Sequence, residues 1–185
     1  MRRYGCVLIA FVVASSAFAV DAPVDTIAKT VLAKAGIGVG VCEMPRAGDG
    51  KLATSLARAG VTLVDGLAAD AKAAEAARAP AADAGVLGTR VMIETGVPSA
   101  LPLADWLADL VVVPDATDAN LKEVLPAEVR RVLAPYRGVA VVGNPGGGKS
   151  GLTKTALETW VREIGGSVEI NEDASGLWAV IRNPP

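Results

Sequence analysis

Along residues 20–185, short apolar runs alternate with stretches whose apolar residues recur every three or four positions. The runs 37–42, 61–64, 90–94, Leu110–Val113 and 139–142 have the length and β-branched content of strands buried in a parallel sheet. Helical spacing falls between them. Ile27, Val31 and Leu32 share a face of 26–34, Leu52 and Leu56 one of 51–59, and 70–82 is rich in alanine. Pro126 opens a helix over 126–133, and Leu152, Ala156, Leu157, Trp160, Val161 and Ile164 line one side of 152–164. Asp25 can cap the first helix, Gly36 stops it, and Pro80 marks a weak end for the third. The runs 167–171 and 177–181 then flank a turn at 173–176, as in a hairpin. This order predicts an α/β doubly wound, Rossmann-like sheet, mostly parallel with an antiparallel C-terminal edge.

The first 19 residues stand apart. Arg2 and Arg3 precede an apolar stretch from Cys6 to Val13, and Ala17-Phe18-Ala19 offers a small-x-small cleavage site. Those are the parts of a secretory signal peptide, which predicts a secreted or periplasmic protein with no stable membrane anchor after cleavage. One domain, 20–185, remains. Removing Arg2 and Arg3 from 18 basic residues leaves 16 against 20 acidic ones, and no basic block stands out, so nucleic acid is not an expected partner. Histidine is absent, which removes Ser-His-Asp and Cys-His catalysis and histidine metal sites; no metal is expected. Cys42 is left without a second cysteine in the mature chain and is expected to be buried.

One motif carries chemistry on its face. Gly143-Asn144-Pro145-Gly146-Gly147-Gly148-Lys149-Ser150 matches the phosphate-cradling P-loop, with Gly148, Lys149 and Ser150 as anion-binding candidates. Two readings compete. In one, glycine N–H groups wrap phosphates and Ser150 holds Mg²⁺. In the other, the stretch connects the fifth strand to the next helix, which Ser150 or Thr153 caps. A P-loop normally follows an early strand and needs a later Asp for the metal, whereas only 35 residues follow Ser150 here.

Leu101-Pro102-Leu103-Ala104-Asp105, the strand through Val113, and Glu128-Val129-Arg130-Arg131-Val132-Leu133-Ala134-Pro135 leading into Gly138-Val139 carry a resemblance. They look like the LP-x-x-D segment, fourth strand and E-x-x-R-V-L-x-P-G-G helix of class I S-adenosylmethionine-dependent methyltransferases, in wording also found in methyltransferase-like domains beside quinoprotein-type β-propellers in secreted proteins. The resemblance covers nearly all of the mature chain. It implies a cofactor site in which Glu43 ends the first strand and Gly48-Asp49-Gly50 form an altered glycine loop. The acid that would pair with the ribose falls at Ala68, so Asp65 or Asp70 would have to substitute. Asp115 and Asn144, after the fourth and fifth strands, are the catalytic candidates, although turn residues occupy such places too. Trp106, Trp160 and Trp178 could line a pocket or simply pack.

Three functions follow. The first is a secreted methyltransferase-like domain with degenerate cofactor motifs, acting as a binding or interaction module for a small molecule or protein. The second is an active S-adenosylmethionine-dependent methyltransferase on an unknown acceptor. The third is a nucleotide-binding protein acting through 143–150.

Overall fold

The computed structural model describes residues 23–182; the signal-peptide expectation lies outside them. Helix α1 (Val24–Ala35) starts earlier than predicted, because Pro23 takes the N-cap position and Asp25 sits in the first turn, accepting a hydrogen bond from Ser55 Oγ. Strand β1 (Val41–Met44) starts four residues later than the apolar run, since Gly40, at φ +109°, belongs to the turn before it. There follow α2 (Lys51–Arg58), β2 (Leu63–Ala68), α3 (Ala71–Asp83) and β3 (Val91–Thr95). Helix α3 runs through Pro80, and the next turn re-forms as Ala84 N–H donates to the Pro80 carbonyl. The proline therefore does not end it. The rest comprises β4 (Leu110–Val113), α4 (Pro126–Val132), β5 (Val139–Asn144), α5 (Lys154–Ile164), β6 (Ser167–Asp173) and β7 (Gly176–Arg182).

The seven strands form one sheet in the order β3-β2-β1-β4-β5-β7-β6. The first five are parallel, and β7 inserts antiparallel between β5 and β6. Two cores sandwich it. On one face α1, α2 and α3 bury Val31, Leu56 and Ala77 against Met44, Val64, Val112, Val141 and Trp178. On the other, α4 and α5 bury Val129, Val132, Leu157 and Ile164 against Val111, Val113, Val142 and Ile181. Small side chains permit close approach. A Cβ on Gly50 would lie 1.8 Å from the carbonyl oxygen of Ala77, so α2 starts pressed on the backbone of α3.

Between β3 and β4, residues 96–109 form no helix. That segment is clamped to α4 by Arg131. Its guanidinium donates to the carbonyls of Leu101 and Leu103 (both 2.9 Å), to Asp105 Oδ1 (2.7 Å) and to both Glu128 oxygens (2.9 and 2.8 Å). Glu128 completes the clamp by accepting the Leu101 N–H at 3.0 Å. The hydrogen bond from Arg131 holds the Glu128 carboxyl below its ordinary range. The paired motifs of the sequence are thus two halves of a loop lock. Arg131→Ala should cost about 2–3 kcal/mol in urea unfolding, given several charge-assisted bonds at a half-exposed site. Arg131→Lys should recover less than half of that, because an ammonium cannot reproduce the fork.

Candidate ligand crevice

In open α/β sheets ligands bind beyond the carboxyl ends of the strands, near the point where strand order reverses. Here the order reverses between β1 and β4. The loop after β1 is fastened there by Ala47 N–H, which donates to the Leu67 carbonyl at 2.7 Å. It flanks two hollows. One, of about 210 Å³, is lined by Pro45, Gly48, Leu67, Ala68, Gly96 and Pro98. The other, of about 290 Å³, is lined by Val24, Met44, Asp49, Pro114, Asp115 and Asn144 among others. Arg46 borders both. Its Nε donates to Asp115 Oδ2 at 3.0 Å and its Nη1 to Glu123 Oε2 at 2.9 Å, so a doubly paired guanidinium bridges the β1 loop to the segment after β4.

The sequence candidates divide sharply. Gly48 lines both hollows, at φ +57° with nothing within 4 Å of a Cβ, so backbone approach to a ligand is open there. Asp49 lines the second hollow but pairs with Lys51 Nζ at 2.7 Å. Gly50 lines neither; its left-handed backbone serves the approach to α3. Asp70 caps α3, accepting the Ala73 N–H at 2.8 Å. Glu43 and Asp65 sit opposite one another in the β1–β2 register, and Glu43 is equally opposite Val111, on the face covered by α4 and α5.

Glu43 is fully buried, and neither of its carboxylate oxygens has a hydrogen-bond partner. Burial, then the neighbouring Asp65 and Glu94 charges, push its pKa up to about 8. Burial and then the Glu94 charge likewise raise Asp65 to about 6, opposed by a hydrogen bond that the Gly66 N–H donates to its ionised carboxylate. Glu43 and the half-buried Asp65 opposite it line neither hollow.

Asp115 faces the crevice through Arg46, with its other oxygen, Oδ1, buried and unpaired. Asn144 is spent locally: its amide donates to the Ala116 carbonyl and its oxygen accepts the Gly146 N–H, both at 2.9 Å. That is turn chemistry. Gly147–Ser150 is a single 3₁₀ turn in which Ser150 Oγ donates to the Gly147 carbonyl. In a phosphate cradle the helix starts at the Lys-Ser pair. Here α5 starts at Lys154, capped by Thr153, which accepts the Ala156 N–H and is itself held by Asp118. Gly148, Lys149 and Ser150 are therefore not at a helix N-terminus.

Of the tryptophans, Trp178 is buried in the first core and Trp106 is exposed. Trp160 donates to the Val124 carbonyl at 2.7 Å and lines a third hollow of about 500 Å³ between the 121–126 segment and α5. Sequence reasoning missed Arg46 and Glu123. They meet across 77 residues, in loops without periodicity, and carry no local signal.

No protein family and no curated protein sequence matches the chain. Solved structures do. The chain superposes on an S-adenosyl-L-methionine-dependent methyltransferase candidate from Methanococcus maripaludis with a TM-score of 0.70 and 22% identity, covering 87% of this chain and 85% of that one. The cyclase SpnF matches with a TM-score of 0.65 and 21% identity over 80% of this chain and 59% of its own. Geranyl diphosphate methyltransferase, solved in complex with S-adenosylmethionine, matches with a TM-score of 0.56 and 17% identity over 65% and 48%. The chain has the class I methyltransferase fold, with its seven-stranded sheet and antiparallel C-terminal strands.

Proposed function

We propose that this chain is a binding or interaction module built on the methyltransferase fold, acting outside the cytosol, rather than a working transferase. The bridge from Arg46 to Asp115 and Glu123 across the crevice is the observation that carries this reading. The surroundings agree with it. Ala68 stands where the resemblance expects a carboxylate for a ribose, while Asp65 lies within the sheet and Asp70 caps α3. Adenosine hydroxyls placed there would lack charged acceptors, at about 1–3 kcal/mol for each group left unpaired. The residues of the crevice do not fit S-adenosylmethionine. A cyclase shares the fold, so methyl transfer does not come with it.

Calorimetric titration of S-adenosylmethionine into the chain from Val20 tests the reading. No heat is expected with millimolar ligand. Arg46→Ala should join the two hollows and leave stability within about 1 kcal/mol, since the pairs it removes are partly exposed. Micromolar binding by the unaltered chain would overturn the module reading and favour an active methyltransferase, which the open backbone at Gly48 supports. The nucleotide-binding reading ranks behind both; unchanged phosphate affinity in Lys149→Ala would remove it.

A further inference from the structure

Two properties of the hollow lined by Asp115, an orphaned atom and an unbalanced charge, define the ligand that suits it. Its apolar walls are Val24 and Ile27 of α1, Met44 of β1, Leu52 of α2 and Pro114 after β4. With about 290 Å³ it lies at the lower end of the range of small-molecule sites. It suits a small ligand with a hydrocarbon body.

Most polar groups around the hollow are already committed. Asn144 spends its amide nitrogen on the Ala116 carbonyl and its oxygen on the Gly146 N–H. Asp49 accepts the Lys51 N–H at 3.1 Å and pairs with Lys51 Nζ at 2.7 Å, so the start of α2 already has its anion. Arg46 gives Nε to Asp115 Oδ2 and Nη1 to Glu123. What remains is Asp115 Oδ1, buried and without a donor. Leaving such an acceptor unpaired is costly, and an N–H or O–H brought by a ligand relieves it. Charge decides between donors. The carboxylates of Asp49, Asp115 and Glu123 meet only Arg46 and Lys51 in these pairs, which leaves one negative charge in excess. A hydroxyl would supply the hydrogen bond and leave the charge. An ammonium answers both.

We propose that this hollow is the site of a small primary amine, its ammonium held by Asp115 and its hydrocarbon body packed against Val24, Ile27 and Met44. Resting on the reading of the crevice as a binding site without S-adenosylmethionine, this assignment gives that site a ligand class. It also gives Arg46 a task. The guanidinium is a resident cation with which the ammonium competes for Asp115, and so it acts as a brake on affinity.

Titration of hexylamine, hexan-1-ol and hexanoate into the mature chain, 20–185, followed by NMR of its methyl groups, tests the proposal. Hexylamine is expected to shift the methyls of Val24, Ile27, Met44 and Leu52 with a Kd of about 1 mM, at least about 10-fold tighter than the alcohol or the acid. Asp115→Asn should bring hexylamine to the level of hexan-1-ol and leave the alcohol unchanged, because it removes the charge and keeps the shape. Arg46→Ala should tighten hexylamine by about 3–10-fold and leave the alcohol unchanged. The two variants move the amine in opposite directions, which a general loss of structure does not do. Equal affinities for amine and alcohol, tighter hexanoate, methyl shifts confined to other parts of the surface, or an amine weakened by Arg46→Ala would overturn the proposal. S-adenosylmethionine keeps the two claims apart. Heat with that ligand overturns the reading of the crevice, whereas failure of the amine without such heat overturns the ligand class alone.

Discussion

Gly50→Ala should be among the most damaging single-methyl changes in this protein, lowering stability by about 2–4 kcal/mol in urea titration. Two costs add. Gly50 holds φ +75°, where alanine is strained, and the new Cβ would lie 1.8 Å from the Ala77 carbonyl oxygen and 2.7 Å from its carbon. Those atoms are backbone in the middle of α3, so relief requires the whole helix to move. Gly48→Ala is the control. Its backbone is also left-handed, at φ +57°, but a Cβ there meets nothing within 4 Å. It should cost only about 1 kcal/mol. The difference between the variants isolates the approach of α2 to α3. Equal losses would mean that backbone conformation alone accounts for Gly50.

The second large effect concerns pH. Glu43 is buried without a hydrogen-bond partner, and its pKa of about 8 lies well above its ordinary 4.5. A carboxyl whose folded pKa is raised binds its proton more tightly in the native state. Its contribution to stability is then complete below pH 4.5 and is lost as pH rises through about 8. Asp65, raised to about 6, adds a slope of the same sign at lower pH, muted by its partial exposure. Stability should thus fall between pH 5 and 8, opposite to the usual behaviour of paired carboxylates. Glu43→Gln carries no charge to desolvate and should be more stable than the parent by about 1–3 kcal/mol at pH 8, with the difference shrinking towards pH 4.5. Denaturant midpoints across that range measure both. A parent profile that rises from pH 5 to 8 would contradict the raised pKa of buried Glu43.

Much of the fold was legible because strand and helix periods are local properties. Leu110–Val113 was placed to the residue, since an uninterrupted apolar run stopped by Pro114 has few other solutions. Boundaries slipped where turns intervened: 37–40 reads as strand, yet Gly40 belongs to the turn that Asp109 closes. Pro80 misled because a proline in the last turns of a helix removes a single bond and leaves packing to decide. The candidate site was less legible. Gly50 and Glu43 carry the residue types of a cofactor loop, but they answer to helix packing and to burial. The P-loop match had the right letters in a stretch whose helix begins four residues late. Arg46 could not be found by pattern, because its partners Asp115 and Glu123 come from a distant loop.

The antiparallel insertion of β7 also ties the two cores of the molecule to one strand. Trp178 and Val180, from the last strand, belong to the core that α1, α2 and α3 build at the other end of the chain. Leu177, Ala179 and Ile181 of the same strand fill the opposite core. Neither core is complete without β7. A chain arrested before about residue 176 would leave both faces of β5 incompletely covered and its open edge unpaired. Both faces of the sheet thus depend on one long-range strand pairing, a high-contact-order closure of the kind that slows folding.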